Sequence, residues 1–402
     1  MNENSYPELN PPPRTLLGPG PANIHPRVLR AMLAPILGHL DPDFIKIMDE
    51  TQDLLRLVFR TSNPMTIPVS GTGTAGMEAT LCNLLEPGDT VAVGINGYFG
   101  GRLTEMATRH GACVIPMEAE WGEIIDPEMV KDALKAHPEI KLVALVHGET
   151  STGVLQPLEE ISRVVHDHGA LLAVDTVTTL GGCAVEISAW DIDAAFSATQ
   201  KCLSCPPGLA PVTMGQRAME IMRTRTTKPQ NFYLDLSMLE NYWGGGRVYH
   251  HTAPITMIYA LHEGLRVLAE EGLTRRIDRH YTCAAALQAG LEAMGLTMHV
   301  RKEYRLPPLT TVRVPEGLDE LGIRRRLLSE YNIEIGAGLG RLAGKVWRIG
   351  LMGHNASPSN MLTFLAALEE LLLRERISLE PGAALAAAGR VLISREQAGG
   401  RN

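Results

Sequence analysis

Ala170-Leu171-Leu172-Ala173-Val174-Asp175 is an apolar run that closes on a carboxylate, and a second run, Ala194-Ala195-Phe196-Ser197-Ala198-Thr199-Gln200, closes on Lys201. Neither alternates polar with apolar residues, so each reads as a strand covered on both faces, the habit of parallel sheets in α/β proteins. Working outward, further strands are expected at Thr66–Ser70, Thr90–Ile95, Ala112–Met117, Lys141–Gly148 and Ala210–Gly215, with the first quoted run extending over Ala170–Val177. Between most of them lie segments with helical periodicity, such as Met77–Leu85, Gly101–His110, Pro127–Ala136 and Leu158–His168. This alternation predicts an α/β fold with a mainly parallel sheet, seven-stranded if each run forms. Only nine residues, Lys201 to Leu209, join the last two runs, too few for a parallel crossover, so the final strand is expected to return antiparallel.

The flanks divide the chain further. Residues 1 to about 14 carry four prolines and no periodicity, so 1–24 reads as an N-terminal arm, of the kind that embraces a second subunit. A large domain is expected over 25–270. A long helical stretch, Thr256 to Met294, leads into a smaller C-terminal α+β domain, 271–378, with strands at Leu309–Val314, Ile333–Gly336 and Val346–Met352 and helices at 317–331 and 358–374. The Ala- and Gly-rich end, 379–402, is expected to be a mobile tail.

Composition excludes several classes of function. With 37 Lys+Arg against 45 Asp+Glu the net charge is −8, and no basic run exceeds Arg324-Arg325-Arg326, which argues against nucleic acid or an anionic membrane as partner. No stretch approaches the roughly 18 consecutive apolar residues of a membrane span, and the first residues lack the pattern of a signal peptide. A cytoplasmic protein is expected. Its six cysteines read as reduced, mostly buried thiols. Cys202-x-x-Cys205 has no second pair with which to bind zinc, and adjacent His250 and His251 have no further ligand cluster, so no metal is expected.

Three constellations point to chemistry. Ser70-Gly71-Thr72-Gly73-Thr74-Ala75-Gly76 follows a strand and opens a helix. Its small residues and hydroxyls suit one phosphate as well as the pyrophosphate of a dinucleotide. Against the dinucleotide reading, the next strand runs into Gly94-Ile95-Asn96-Gly97-Tyr98 with no acid at its end. Asp175 stands at the carboxyl end of its strand, where open α/β sheets bind ligands; a helix-capping aspartate is the plain alternative. Lys201, flanked by small and amidic residues, is a candidate amine nucleophile, although most lysines at strand ends are merely solvated. A phosphate cradle, an amine and a carboxylate are together what pyridoxal phosphate needs, along with an aromatic plate, which Tyr98 or Phe99 offers. Arg348 alternates with apolar neighbours on a strand of the second unit and suits a substrate carboxylate, or a structural ion pair.

At these residues the chain resembles the class V, fold-type-I PLP-dependent aminotransferases of the alanine-glyoxylate and serine-pyruvate family. The resemblance rests on Gly18-Pro19-Gly20-Pro21, Ser70-Gly71-Thr72-Gly73, His147-Gly148-Glu149-Thr150-Ser151-Thr152-Gly153, Val174-Asp175, Thr199-Gln200-Lys201, Tyr249-His250-His251-Thr252 and Arg348-Ile349-Gly350. It implies pyridoxal 5'-phosphate held covalently by Lys201, with Asp175 on its ring nitrogen. It implies Thr72, Gly73, Thr74 and Gln200 on the phosphate, joined by Tyr249 and Thr252 from the partner subunit of a homodimer. Phe99 would stack on the ring, where tryptophan is frequent in the family, and Thr150, at a position often serine, would line its edge with Thr152. Arg348 would take the substrate carboxylate, near the Gly20 backbone. The implied reaction is ping-pong transamination from a small amino acid, alanine or serine, to glyoxylate or pyruvate. Ureidoglycine is the alternative donor, although Tyr249 to Pro254 looks more like the alanine and serine group. An NAD-dependent dehydrogenase, a sulfur-releasing lyase of the same fold and an inactive binding protein are the rivals.

Overall fold

The computed structural model describes residues 6–399. Its large sheet is built from β1 (Met65–Ser70), β2 (Thr90–Ile95), β3 (Cys113–Glu118), β4 (Ile140–Val146), β5 (Leu171–Asp175), β6 (Ala194–Phe196) and β7 (Leu209–Met214). The intervening helices include α1 (Gly73–Leu84), α2 (Tyr98–Arg109), α3 (Pro127–Ala136) and α4 (Glu159–His168). Spatial order is β1-β7-β6-β5-β4-β2-β3. Only β7 runs against the rest, pairing antiparallel with both β6 and β1, as the short link before it requires. Local chemistry sets the helix starts: Asp126 accepts the Glu128 N–H at 2.9 Å, and Pro127 occupies the first helical position.

Several strands end earlier than expected, and those ends carry the cavity described below. β5 stops at Asp175, not Val177, because the Asp175 carboxylate accepts the Val177 N–H at 2.8 Å and turns the chain. β6 stops at Phe196, not Gln200, although Ser197 and Thr199 still donate to the Pro211 and Leu209 carbonyls. β4 stops at Val146, and Gly148-Glu149 pairs instead with Val154-Leu155.

The long helix expected over 256–294 is two helices, α5 (Ile255–Glu271) and α6 (Leu273–Ala293). Gly272, at φ +84°, breaks it in a conformation other residues rarely adopt. Beyond them lie β8 (Leu309–Arg313), α7 (Glu320–Tyr331), β9 (Gly336–Ala337), β10 (Val346–Gly350) and α8 (Pro358–Arg374), with the antiparallel order β8-β10-β9. The strand expected at Ile333–Gly336 is split: Ile333-Glu334 pairs in parallel with Thr15-Leu16, and Gly336-Ala337 joins β10. Residues 15–17 of the expected arm are therefore part of this unit, and Leu17 is fully buried in its core. The expected mobile tail is also corrected. Ala383–Gly399 forms α9 against α6, with Ala384 and Ala388 fully buried. Alanine is the best helix former and lets two helices approach closely, so an Ala-rich end need not be loose. Gly400, Arg401 and Asn402 lie outside the described residues.

Among the described residues two large apolar clusters, and a small third one that includes Ala22, Cys202, Leu306 and Met352, hold the chain together. One covers both faces of the large sheet, with Leu55, Val91, Val143, Leu172, Val212 and Leu265 all but inaccessible. The other gathers Leu17, Leu287, Val312, Trp347, Phe364 and Leu368. Each such side chain contributes roughly 1.5–3 kcal/mol of burial free energy.

Candidate active site

The carboxyl ends of β1, β4 and β5 and the turn after β6 surround a cavity of about 200 Å³, lined among others by Thr72, Gly73, Thr74, Phe99, Thr150, Asp175, Gln200 and Lys201. Ligands bind at this edge of open α/β sheets because the loops there are free to carry function.

Its floor is the start of α1, a candidate anion cradle. Thr72 caps α1 in an extended conformation, yet its side chain makes no capping hydrogen bond, and the first N–H groups of any helix lack intrahelical partners. Gln200 Oε1, at the same wall, is buried without a hydrogen-bond partner. Such an atom is costly unless a ligand satisfies it. The cradle and the lysine turn share a seam: the Gly71 N–H donates to the Gly208 carbonyl at 3.0 Å, just before Ser70 pairs with Leu209.

Lys201 stands on the turn that follows β6, its Nζ donating to the Pro19 carbonyl. Gly20, at φ +106°, lies so close that a Cβ there would fall 2.4 Å from Nζ. Burial lowers the Lys201 pKa to about 8; the positive charge of Arg348 adds to the effect, and Cys202 and Asp175 oppose it. Burial drives Asp175 the other way, up to about 7, with the Val177 N–H opposing and the charge of Glu149 assisting. An amine and a carboxylate thus stand in one cavity, each short of the partner its charged form wants. A cofactor with a phosphate, an aldehyde and a basic ring nitrogen supplies an acceptor or donor for each of these groups, so the residues fit one.

Phe99, on the first turn of α2, forms a wall. Arg348, on β10, is buried; its Nε donates to the Ala337 carbonyl at 2.6 Å and one terminal nitrogen to the Thr150 carbonyl at 3.0 Å. Burial lowers its pKa to about 10, against the favourable charge of Glu149. It reaches the cavity edge through Thr150.

Besides Gly20 and Arg348, which stand at its edge, three implied residues lie apart from the lining. The Thr152 hydroxyl lies 3.5 Å from the Glu149 carbonyl, under the loop. Tyr249 and Thr252 are exposed. Between them in sequence, His251 bonds Ser70 Oγ at 2.9 Å and the His250 ring at 2.8 Å, so this segment is tied to the outer edge of the cradle. Among the described residues no group of three or more His, Cys, Asp or Glu side chains is placed to hold a metal ion, and no helix is long and apolar enough to cross a membrane. The Cys202 and Cys205 thiols donate to the Thr178 and Ala260 carbonyls, and burial pushes their pKa values to about 11 and about 12, which keeps them protonated.

Two residues escaped the sequence reading. Arg102 lines the cavity, donates to Thr74 Oγ1 at 3.3 Å and lies 4.9 Å over the Phe99 ring. Its signal was a cation three residues after Phe99 on one helix face. Glu149, in the His147–Gly153 segment, is fully buried and accepts from both Ser151 and the start of α2.

Known proteins resemble this chain over most of its length. The family model "Aminotransferase class-V" matches residues 17–353. The (S)-ureidoglycine--glyoxylate transaminase of Bacillus subtilis is 44% identical over 400 residues, covering 95% of this chain and 96% of the relative. The alanine--glyoxylate aminotransferase of Drosophila melanogaster is 40% identical over 375 residues, 92% of this chain and 95% of the relative. Among solved structures, the alanine--glyoxylate aminotransferase from Nostoc sp. superposes with a TM-score of 0.90 at 52% identity, covering 92% of this chain and 99% of the other.

Proposed function

We propose, for a chain that belongs to the class-V aminotransferases, that it transfers the amino group of alanine or serine to glyoxylate or pyruvate. The family's enzymes depend on pyridoxal 5'-phosphate, and the α/β fold is that of fold-type-I aminotransferases. The observation that carries the reading of the site is the meeting of Lys201, Asp175 and the open cradle of α1 in one cavity, with Arg348 at its edge.

In this reading Thr72, Gly73, Thr74 and Gln200 bind the phosphate, and Phe99 lies against the ring, with Thr150 and Thr152 at its edge. When bound, the cofactor supplies an aldehyde that takes up the amine and a ring that accepts electron density from the reacting carbon. Lys201 holds the cofactor, then, displaced by the amino donor, is free to carry a proton to and from the substrate's α-carbon; a pKa near 8 suits that work at neutral pH. Asp175 keeps the ring nitrogen protonated. Arg348 receives the substrate carboxylate beside the Gly20 backbone and orients the α-carbon toward Lys201. One keto acid leaves before the other enters, and the same residues serve both halves of a ping-pong cycle.

The chain acts as a homodimer in this reading, with Tyr249 and Thr252 reaching the partner's phosphate. Support comes from the apolar surface beside them: Leu33 is 85% exposed, Ile36 66% and Phe232 67%, and His39, at the end of the first patch, contacts the Tyr249 ring.

Transfer from ureidoglycine to glyoxylate is the second reading, favoured by the 44% identity to the Bacillus subtilis transaminase. Turnover of alanine, serine and ureidoglycine with glyoxylate, measured side by side, decides between them. A hundredfold preference for ureidoglycine would replace the first reading with the second.

A further inference from the structure

Glu149 is buried beside the cavity but has no part in the chemistry just described. Its Oε2 accepts the Phe99 N–H at 3.0 Å and the Gly100 N–H at 3.4 Å, while Oε1 accepts the Ser151 N–H at 2.9 Å and the Ser151 hydroxyl at 2.6 Å. Ser151 Oγ in turn accepts the Tyr98 N–H at 2.8 Å. The first turn of α2 needs these acceptors because Gly97, its own cap, has no side chain to offer. A side chain at 97 would also obstruct the arrangement, since a Cβ there would lie 2.3 Å from Glu149 Cγ and 2.5 Å from Ser151 Oγ. A carboxylate fifty residues away in sequence thus does the work normally done by a Ser, Thr or Asp one residue before a helix.

We propose that Glu149 is a positioning residue for the cofactor: by capping α2 from across the cavity wall, its carboxylate fixes the Phe99 ring in the orientation that stacks. The inference rests on the reading of Phe99 as the stacking plate. Both Glu149 oxygens face N–H or O–H donors, so a glutamine there turns its NH₂ against a donor whichever way it is placed. Glu149→Gln therefore keeps the volume and breaks the clamp.

The test is a double-mutant cycle on the purified holoenzyme, reading the dissociation constant of pyridoxal phosphate and the circular dichroism in its visible absorption band. Phe99→Ala and Glu149→Gln are each expected to weaken cofactor binding about five- to tenfold and to reduce the dichroism, in line with the loss of one charge-assisted hydrogen bond or one ring stack. In the double variant the glutamine is expected to add less than about a further twofold, because it acts through the ring already removed. Wild-type affinity in Glu149→Gln beside a weakened Phe99→Ala, or fully multiplicative effects, would overturn the proposal alone. Wild-type affinity in Phe99→Ala would overturn the stacking reading and the proposal with it. If Glu149→Gln does not fold, Ser151→Ala carries the test: about threefold weaker binding is expected, and unchanged affinity overturns the proposal.

Discussion

Arg348 donates to the Thr150 carbonyl across the boundary between the small and large units, and among the described residues no carboxylate lies within ion-pair distance of it. A buried guanidinium without a direct ion pair is costly, and a substrate carboxylate lowers the cost. Lysine cannot reproduce a planar fork already tied to two carbonyls. Arg348→Lys is expected to raise the KM for glyoxylate about a hundredfold, the equivalent of losing about 2.7 kcal/mol, with a smaller effect on kcat. Steady-state kinetics checks it; a KM within threefold of wild type would remove Arg348 from substrate binding.

Lys201→Ala is expected to abolish the visible absorbance of the lysine-bound cofactor and to lower transamination by roughly a thousandfold or more, since both holder and proton carrier are lost. A spectrum and a coupled assay on the purified variant check this together. Retained turnover would remove Lys201 from the proposed chemistry.

Asp175 makes the stability of the cofactor-free protein depend on pH with a definite sign. Its folded pKa, about 7, lies above the ordinary 3.8, so between those values the folded chain holds the extra proton and stability falls as pH rises. Lys201 acts only higher: its pKa of about 8 lies below the ordinary 10.5, so stability recovers as pH rises through that window. Wild type is therefore expected to lose at least about 1 kcal/mol relative to Asp175→Asn between pH 4 and pH 7, one pKa unit being worth about 1.4 kcal/mol. Denaturant titrations at the two pH values check it, and a constant difference would contradict the burial argument.

The shared-site dimer predicts complementation. Lys201→Ala and Thr252→Val, each weakened as a homodimer, are expected to recover part of the activity when mixed, because one of the two sites in a heterodimer is then intact. Ile36→Glu, which puts a charge on the exposed apolar patch, is expected to shift the chain toward monomer in sedimentation. No recovery on mixing, with a dimer persisting, would place Thr252 outside the partner's site.

The parts of this arrangement legible in the sequence are those set by periodicity and by strand ends. Asp175 and Lys201 each close an apolar run, and the reversal of β7 followed from a count of residues. What stayed illegible depends on contacts distant in sequence. Nothing near Gly97 announces that Glu149 caps its helix, and Arg102 takes its meaning only from the Thr74 hydroxyl it meets. Small residues read alike in a loose tail and in a helix pressed against a neighbour, which hides the Ala383–Gly399 helix from composition alone.

The brevity of the return into β7 makes this part of the gene unforgiving. The turn that presents Lys201 ends at Gly208, whose carbonyl is also bonded to Gly71 at the mouth of the cradle. An insertion between 201 and 208 would act on the amine and on the Gly208–Gly71 bond together, because one short turn carries both. New specificities on this scaffold have to arise elsewhere, on segments that touch neither the Lys201 turn nor the cradle.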